Sequence, residues 1–470
     1  MLRKTKLVCT IGPGSHSSPV IEKLIRAGMS VARLNFAHDT PEEHAKVIRT
    51  IRDVSAAMAM PVAILLDLPG AKLRTGELVR PKVELKEGND FTLTTKKVAG
   101  DERRVSVPPF FGDIKPGDTI YLNDGAIELK VISVNDVEAR CRVVVGGPLI
   151  AHRGINVPGV RLSVASLTAE DLRDLALGVK QGVDFIAVSF VRSAADIRQV
   201  REILRQKRAS IPLIAKIEKH EAVKDIDQIL AEADGAMVAR GDLGIEIPLE
   251  KVPIVQKEIV RKCNLLGKPV VVATQMLESM RSSVRPTRAE VSDVANAIFD
   301  GADAVMLSGE TAIGKFPVPS VKMMASIAAE AEKTLPYERG LLEKGALVTA
   351  KTDDAISYAA CHMAQTLRAA CIVAYTTSGS TALRVSKYRP RVPILALTPH
   401  PHIARRLVLS WGVQTYIAAE PANIDMMFPE ATRVASETGL ARHGDLVVIT
   451  AGMPMGKPGT TNVVKVQRVE

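Results

Sequence analysis

Arg33, Asn35, Asp67, Lys216, Glu218, Asp242, Thr274 and Glu310 can each hold an anion, a cation or a proton, and each stands at or just past the end of a short apolar run. Lys216 and Glu218, in PLIAKIE, are two residues apart, so on a strand they share a face; Arg33 and Asn35, in VARLNF, do likewise. An isolated Lys-x-Glu is ordinarily a surface ion pair. Here the isoleucine-rich flank buries it, and a buried lysine and carboxylate need partners or a metal ion. In GAMVARGDLGIEIP a strand should end at Ala239, with Gly241 and Gly244 bracketing Asp242 in a short loop. Backbone N–H groups of such a loop can meet an anion while the carboxylate takes a hard cation. Glu218 and Asp242 together supply the carboxylates a magnesium site uses, water and substrate oxygens completing the shell. Thr274 ends the run VVVAT, where a hydroxyl can bind a carboxylate or pass a proton, although threonine is also a common cap.

These residues are positioned by eight apolar runs: KLVCTIG, VARLNF, VAILLDL, FIAVSF, PLIAKIE, GAMVARGD, VVVATQ and AVMLSGE. Continuous Val/Ile/Leu runs suit strands buried on both faces, and most are separated by helix-like stretches, so they read as repeated βα units. Eight units predict an α/β fold built on a closed (β/α)8 TIM barrel, whose chemistry gathers at the carboxyl ends of the strands. The rhythm breaks after Asp67. From Gly70 to Gly159 the sequence turns to short alternating stretches separated by EGND, KPGD and NDG turns, the pattern of a small inserted β-barrel. Its position suits a lid that excludes water when closed. Barrel rhythm resumes at Leu167 and runs to about Pro336. After a polar connector, RGLLEKGALVTAKTDD, a helix over 353–367 and the strand candidates CIVAYTT, PILALTP, VQTYIAA and DLVVITA form a C-terminal α/β domain. The expected domains are residues 1–69 with 160–345 (barrel), 70–159 (lid) and 346–470 (C-terminal, regulatory).

Composition narrows the partners. The 470 residues carry a net charge of +10, but 62 basic residues are interleaved with 52 acidic ones and aromatic content is 3%, which argues against nucleic acid and suits small anionic ligands. No apolar run reaches the length of a membrane span, and the start MLRKTKLVCTIGPG has too short an apolar stretch for a secretory signal, so a cytoplasmic protein is expected. The five scattered cysteines read as reduced thiols. In the C-terminal domain, Thr376, Thr377, Ser378, Gly379, Ser380 and Thr381 form a small-residue loop between a strand and a helix that carries Arg384 and Lys387. That arrangement can cradle a phosphate, or be a plain N-cap turn.

The chain resembles the pyruvate kinase family over essentially its whole length. KLVCTIGP, VARLNFAH, D-x-x-G-x-K-x-R-T-G from Asp67, RGINVPG, AKIEKHEAV, VARGDLGIEIP, ATQMLESM, RPTRAEVSDVANAIFDGADAVMLSGET, TTSGSTAL and PGTTN carry the resemblance. It implies transfer of phosphate from phosphoenolpyruvate to ADP, giving pyruvate and ATP at the end of glycolysis. Mg2+ or Mn2+ would be held by Glu218 and Asp242. Arg33, Lys216, Gly241, Asp242 and Thr274 would bind the substrate, with Lys216 beside the transferred phosphoryl group and Thr274 on the proton route to the enolate. Asn35, His38, Arg74 and Arg153 would contact the nucleotide. The resemblance also implies a homotetramer and a phosphorylated effector in the loop 376–381 with Arg384. Two positions depart from the family pattern. Ala37 and Leu68 stand where a serine and a threonine normally give oxygen to potassium, and the lid hinge reads Pro69, Gly70, Ala71, Lys72 in place of lysine-glycine-proline-glutamate. Potassium should therefore not be required, Lys72 supplying the charge. The alternative readings are another magnesium-dependent barrel enzyme acting on an enolpyruvate, a lyase or mutase, and a catalytically silent metabolite sensor.

Overall fold

The computed structural model describes residues 3–163, 165–421, 423–454 and 459–470. Pro458 of the PGTTN stretch lies outside the described residues.

The eight apolar runs become strands Lys6–Ile11, Val31–Asn35, Ala63–Asp67, Phe185–Val188, Leu213–Ile217, Gly235–Ala239, Val270–Ala273 and Ala304–Leu307. They close into one parallel barrel in chain order. Register sets the mouth: Asn35 lies opposite Asp67, so the last residues of the second and third strands are neighbours. Nearly every strand residue is buried because helices cover the outside while Val8, Leu65, Ile214, Met237, Val271 and Met306 fill the interior. Val408 and Leu409 of the C-terminal domain join that interior cluster and plug the amino end of the barrel. Burying an aliphatic side chain of this size is worth about 1.5–3 kcal/mol, so the plug couples the two domains.

The lid alternates buried and exposed residues, as in Lys82–Leu85, because one sheet face covers the core and the other meets solvent. It consists of a six-stranded sheet and a two-stranded one, pairing Lys82–Leu85 with Gly147–Ile150. Its strand pairings are antiparallel except Asp90–Thr94 with Arg104–Ser106, and a parallel bridge joins Leu78 to Gly100. Its hinge is anchored at Gly70, whose N–H donates to Asp171 Oδ1 at 2.9 Å. Asp171 also closes the capping box of helix Ala169–Gln181 with Thr168, so one carboxylate starts a barrel helix and fixes the lid entrance. Gly70 has φ +69°, and a Cβ there would come within 2.9 Å of Ser189 and Phe190, so any other residue would push the hinge off the mouth.

The C-terminal sheet has five strands in the order Val413–Ile417, Ile394–Thr398, Cys371–Tyr375, Leu446–Gly452 and Thr461–Arg468. The last is antiparallel and was not among the four candidates. A second difference lies in the connector, where Tyr337–Gly345 is helical and only residues 346–351 lack regular structure before helix Thr352–Thr366. Among the described residues no helix is long and apolar enough to cross a membrane.

Candidate active site

Four charged side chains converge at the carboxyl mouth. Arg33 Nε donates to Asp67 Oδ2 at 2.6 Å, and its Nη1 donates to Thr10 Oγ1 at 2.9 Å. Lys216 Nζ lies 2.9 Å from Glu218 Oε1 and 3.2 Å from Asp67 Oδ1, and donates to Ser189 Oγ at 2.7 Å. Lys216 and Glu218 do share a face, as period-two geometry requires. Burial alone would lower the pKa of Lys216, but Asp67 and Glu218 outweigh it and hold the ammonium well above its ordinary value. For Asp67, burial opposes ionisation, and Arg33 and Lys216 overcome it, leaving the carboxyl below its usual range. Glu218 is pushed up, first by burial and further by the charge of Asp242, against the pull of Lys216.

Asp242 was expected in a loop. Instead Arg240–Glu246 is a short helix, and Gly241 and Asp242 occupy its first turn, where N–H groups lack intrahelical partners. Gly241 N–H donates to Thr274 Oγ1 at 2.8 Å, which joins the sixth and seventh strand ends. Thr274 has φ +72° and Gln275 +56°, a conformation unfavourable for non-glycine residues that clusters at functional sites. Arg240 holds it there, with Nη2 on Thr274 O at 2.8 Å and Nη1 2.7 Å from Asp293 Oδ1.

Lys72 enters the site from the lid hinge. Its Nζ donates to Asp242 Oδ1 at 2.8 Å and lies 3.3 Å from Asp124 Oδ1, with the Phe190 ring beneath it at 5.9 Å. Burial would lower its pKa, yet Asp242 and then Asp124 raise it above the usual lysine value. Gly154 leaves the space: a Cβ there would sit 2.5 Å from Lys72 Cε. The ammonium therefore bonds to Asp242, while the oxygens of Asp67 are taken by Arg33, Lys216 and Ser189. Leu68 is buried, and its carbonyl accepts from Ser189 Oγ at 2.7 Å.

Among the described residues, the side chains of the other expected residues make no hydrogen bond or ion pair to this cluster. Asn35 Oδ1 accepts from Ala37 N–H at 3.4 Å, and His38 is exposed in the following turn. Arg74 and Arg153 are exposed on the lid base, where Arg74 pairs with Gly154 in a β-bridge and donates to His152 O at 3.1 Å. Glu310 is fully buried and accepts from Leu277 and Ser308 N–H groups, so its work is to pin a loop. In the C-terminal domain, Thr376, Thr377, Ser378, Ser380 and Thr381 line a pocket of about 40 Å³. Gly379, at φ +92°, donates its N–H to Thr376 Oγ1 to close the loop. Arg384 pairs with Asp353 at 2.6 Å and lines a second cavity, on the barrel side, together with Ser378, Gly379 and Ser380.

Sequence reasoning missed Ser189, Asp124, Thr10 and Arg240. Ser189 ends the apolar run of FIAVSF, a position equivalent to those that were chosen. It also missed a cluster at the lid–barrel contact. His220 Nδ1 lies 3.0 Å from Glu221 Oε2 and 3.6 Å from Glu246 Oε2, and Glu246 Oε1 accepts from Lys219 at 2.6 Å and from lid residue Asn156 at 2.9 Å.

This arrangement can bind a phosphorylated anion between Arg33 and Lys216 and a divalent cation between Glu218 and Asp242. The comparisons with known proteins identify the family. The family described as "Pyruvate kinase, barrel domain" matches residues 2–321, and "Pyruvate kinase, alpha/beta domain" matches 354–467. Pyruvate kinases of Staphylococcus aureus strains MRSA252 and USA300 are each 47% identical over 472 aligned positions, covering 100% of this chain and 81% of theirs. The crystal structure of a pyruvate kinase from Cryptosporidium parvum superposes with a TM-score of 0.95 at 37% identity, covering 100% of this chain and 96% of that one. None of these favours the lyase or mutase reading.

Proposed function

The chain belongs to the pyruvate kinase family and transfers phosphate from phosphoenolpyruvate to ADP, giving pyruvate and ATP; from that premise we propose which of its residues do the work. The observation that carries the proposal is the buried Arg33–Asp67–Lys216–Glu218 cluster facing Asp242 across the mouth. Family membership implies dependence on a divalent cation. Carboxylate oxygens of Glu218 and Asp242 suit a hard ion, and we assign them to Mg2+ or Mn2+. When bound, that ion neutralises charge on the substrate oxygens.

Arg33, held rigid by Asp67 and Thr10, grips the phosphate. Lys216, kept charged by its two carboxylate neighbours, stands beside the phosphoryl group in transit between the enol oxygen and the β-phosphate of ADP. Catalysis of this kind is mainly positioning and charge neutralisation. The N–H groups of Gly241 and Asp242 bind the substrate carboxylate at the helix N-terminus, and the Thr274 hydroxyl, already on Gly241, completes that grip and passes a proton to the enolate. Asn35, His38, Arg74 and Arg153 receive the nucleotide as the lid closes.

Potassium is not required in this reading. Leu68 and Ala37 have no side-chain oxygen, and Asp67 is engaged on both oxygens, so a monovalent cation lacks ligands. Lys72 brings a fixed positive charge into the site, placed on Asp242 and not beside Asn35. A phosphorylated effector binds the loop 376–381, and the active form is a homotetramer in the cytoplasm. A coupled assay for ATP from phosphoenolpyruvate and ADP, with tetramethylammonium or potassium as the monovalent cation, tests the assignment. Activity in both is expected, and tenfold stimulation by potassium at constant ionic strength overturns the potassium part.

A further inference from the structure

Lys344 lies on the connector helix Tyr337–Gly345 and lines a cavity of about 370 Å³ between the barrel helices Val252–Leu266 and Arg288–Asp300 and the C-terminal domain. Leu265, Ile298, Phe299, Leu335, Leu347 and Trp411 make its walls largely apolar. Lys344 Nζ donates to the carbonyl of Lys387 at 3.1 Å and, among the described residues, pairs with no carboxylate. Glu343, its chain neighbour, is engaged by Arg339 at 2.7 Å, and Asp303 by Arg389 at 2.9 Å.

The groups acting on Lys344 are Arg389 and Lys387 from the C-terminal domain, Asp303 from the barrel floor and Cys361 from helix Thr352–Thr366; Arg261, Asp300, Glu343 and Tyr337 complete the charged and titratable lining. Burial first, then Arg389 and Lys387, push its pKa down to about 7 against the opposing pull of Asp303 and Cys361. A large share of this side chain is therefore free amine at neutral pH. Arg389 adds a second feature. Its Nε and Nη2 are committed to Asn264, Gly301 and Asp303, but Nη1 is buried without a partner. Lys387 Nζ is held by Asp354 at 2.7 Å, so the site combines a nucleophilic nitrogen with a spare guanidinium donor in one cavity lining, which is suited to an anion formed on the nitrogen itself. Lys6 also has its pKa pushed down to about 7, but it is only 8% exposed and points at Val413 O.

We propose that Lys344 is a carbon dioxide site, its amine forming a carbamate held by Arg389. The nitrogen lone pair forms an N–C bond, one C=O π pair becomes a carboxylate lone pair, and one N–H proton leaves to solvent. No oxidant or further reactant is needed. The product sets an anion in the cavity that Arg389 also lines, and the apolar wall shields it from hydrolysis. It ties the connector helix to the C-terminal domain by an ion pair where a single hydrogen bond now stands.

The test uses the full chain equilibrated with 13C-bicarbonate at pH 7.5. Carbamates are trapped by ethylation with a trialkyloxonium salt, mapped by peptide mass spectrometry, and followed by 13C NMR. Trapped adduct on the Lys344 peptide should exceed that on any solvent-exposed lysine by roughly a hundredfold or more, the ratio of free amine expected for a pKa near 7 against one near 10. Its occupancy should rise through about pH 7, and the resonance assigned to it should vanish in Lys344→Arg while the coupled-assay activity persists. Adduct confined to the terminal α-amine in the wild-type chain, or an unchanged spectrum in Lys344→Arg, overturns the proposal. The wild-type mapping needs no variant, so it decides even if Lys344→Arg fails to fold.

Discussion

Replacing Lys216 by methionine removes one positive charge from beside the migrating phosphoryl group and keeps the length of the side chain. A unit charge at ~4 Å from developing negative charge, at an effective dielectric of ~20, is worth about 4 kcal/mol. That corresponds to roughly a thousandfold in kcat. The fold should survive, since Asp67 keeps Arg33 at 2.6 Å and Glu218 keeps the Phe190 N–H at 2.8 Å. Substrate binding should also survive, because Arg33 and the helix N-terminus remain. Steady-state kinetics should therefore show a kcat lower by three or more orders of magnitude with the KM for phosphoenolpyruvate within a few-fold, the pattern of an interaction made only in the transition state. Urea unfolding run alongside checks that the variant is folded. A kcat of about a tenth of wild type, or a raised KM with kcat intact, refutes the argument.

Lys72→Glu should cripple the enzyme, because it places a third carboxylate against Asp242 and Asp124, and potassium should rescue it only partly; full rescue would show that Ala37 and Leu68 do not prevent ligation. Ser378→Glu puts a negative charge in the pocket of the loop 376–381 and should abolish activation by sugar phosphates and nucleotide monophosphates; an unchanged response to all of them would place the effector elsewhere. Asp354 accepts from Lys387 Nζ and Tyr388 OH at 2.7 Å and from Thr349, and these outweigh burial and depress its pKa. Its stabilisation is therefore present above the unfolded value near 4 and lost as pH falls through the lower folded value. Asp354→Asn should cost about 2–4 kcal/mol at pH 7 by denaturant unfolding, with the deficit shrinking below about pH 4; a pH-independent deficit contradicts the charge argument.

The barrel was legible because strands buried on both faces must be continuously apolar, so the runs stand out along the chain, as do the polar residues that end most of them. Lys216 and Glu218 were readable as a pair because strand geometry alone puts them on one face. Asp124 was not, since only the return of the lid over the mouth brings an NDG turn to Lys72. Thr461–Arg468 escaped because an edge strand reading TNVVKVQR is only partly buried and breaks the apolar pattern. The helix at Asp242 escaped for a different reason: its glycines at 241 and 244 favour a loop by propensity, and tertiary packing of Leu243 and Glu246 overrides them.

The account turns on Glu218 and Asp242 holding the divalent cation while Lys216 and Arg33 face the phosphate. Anomalous diffraction from crystals grown with Mn2+ and phosphoenolpyruvate tests this directly. One manganese peak should lie within bonding distance of both carboxylates, with the Lys72 ammonium displaced from Asp242 Oδ1 and the substrate phosphate against Arg33 and Lys216. A manganese peak confined to His220, Glu221 and Glu246, or a phosphate bound away from Lys216, would contradict it.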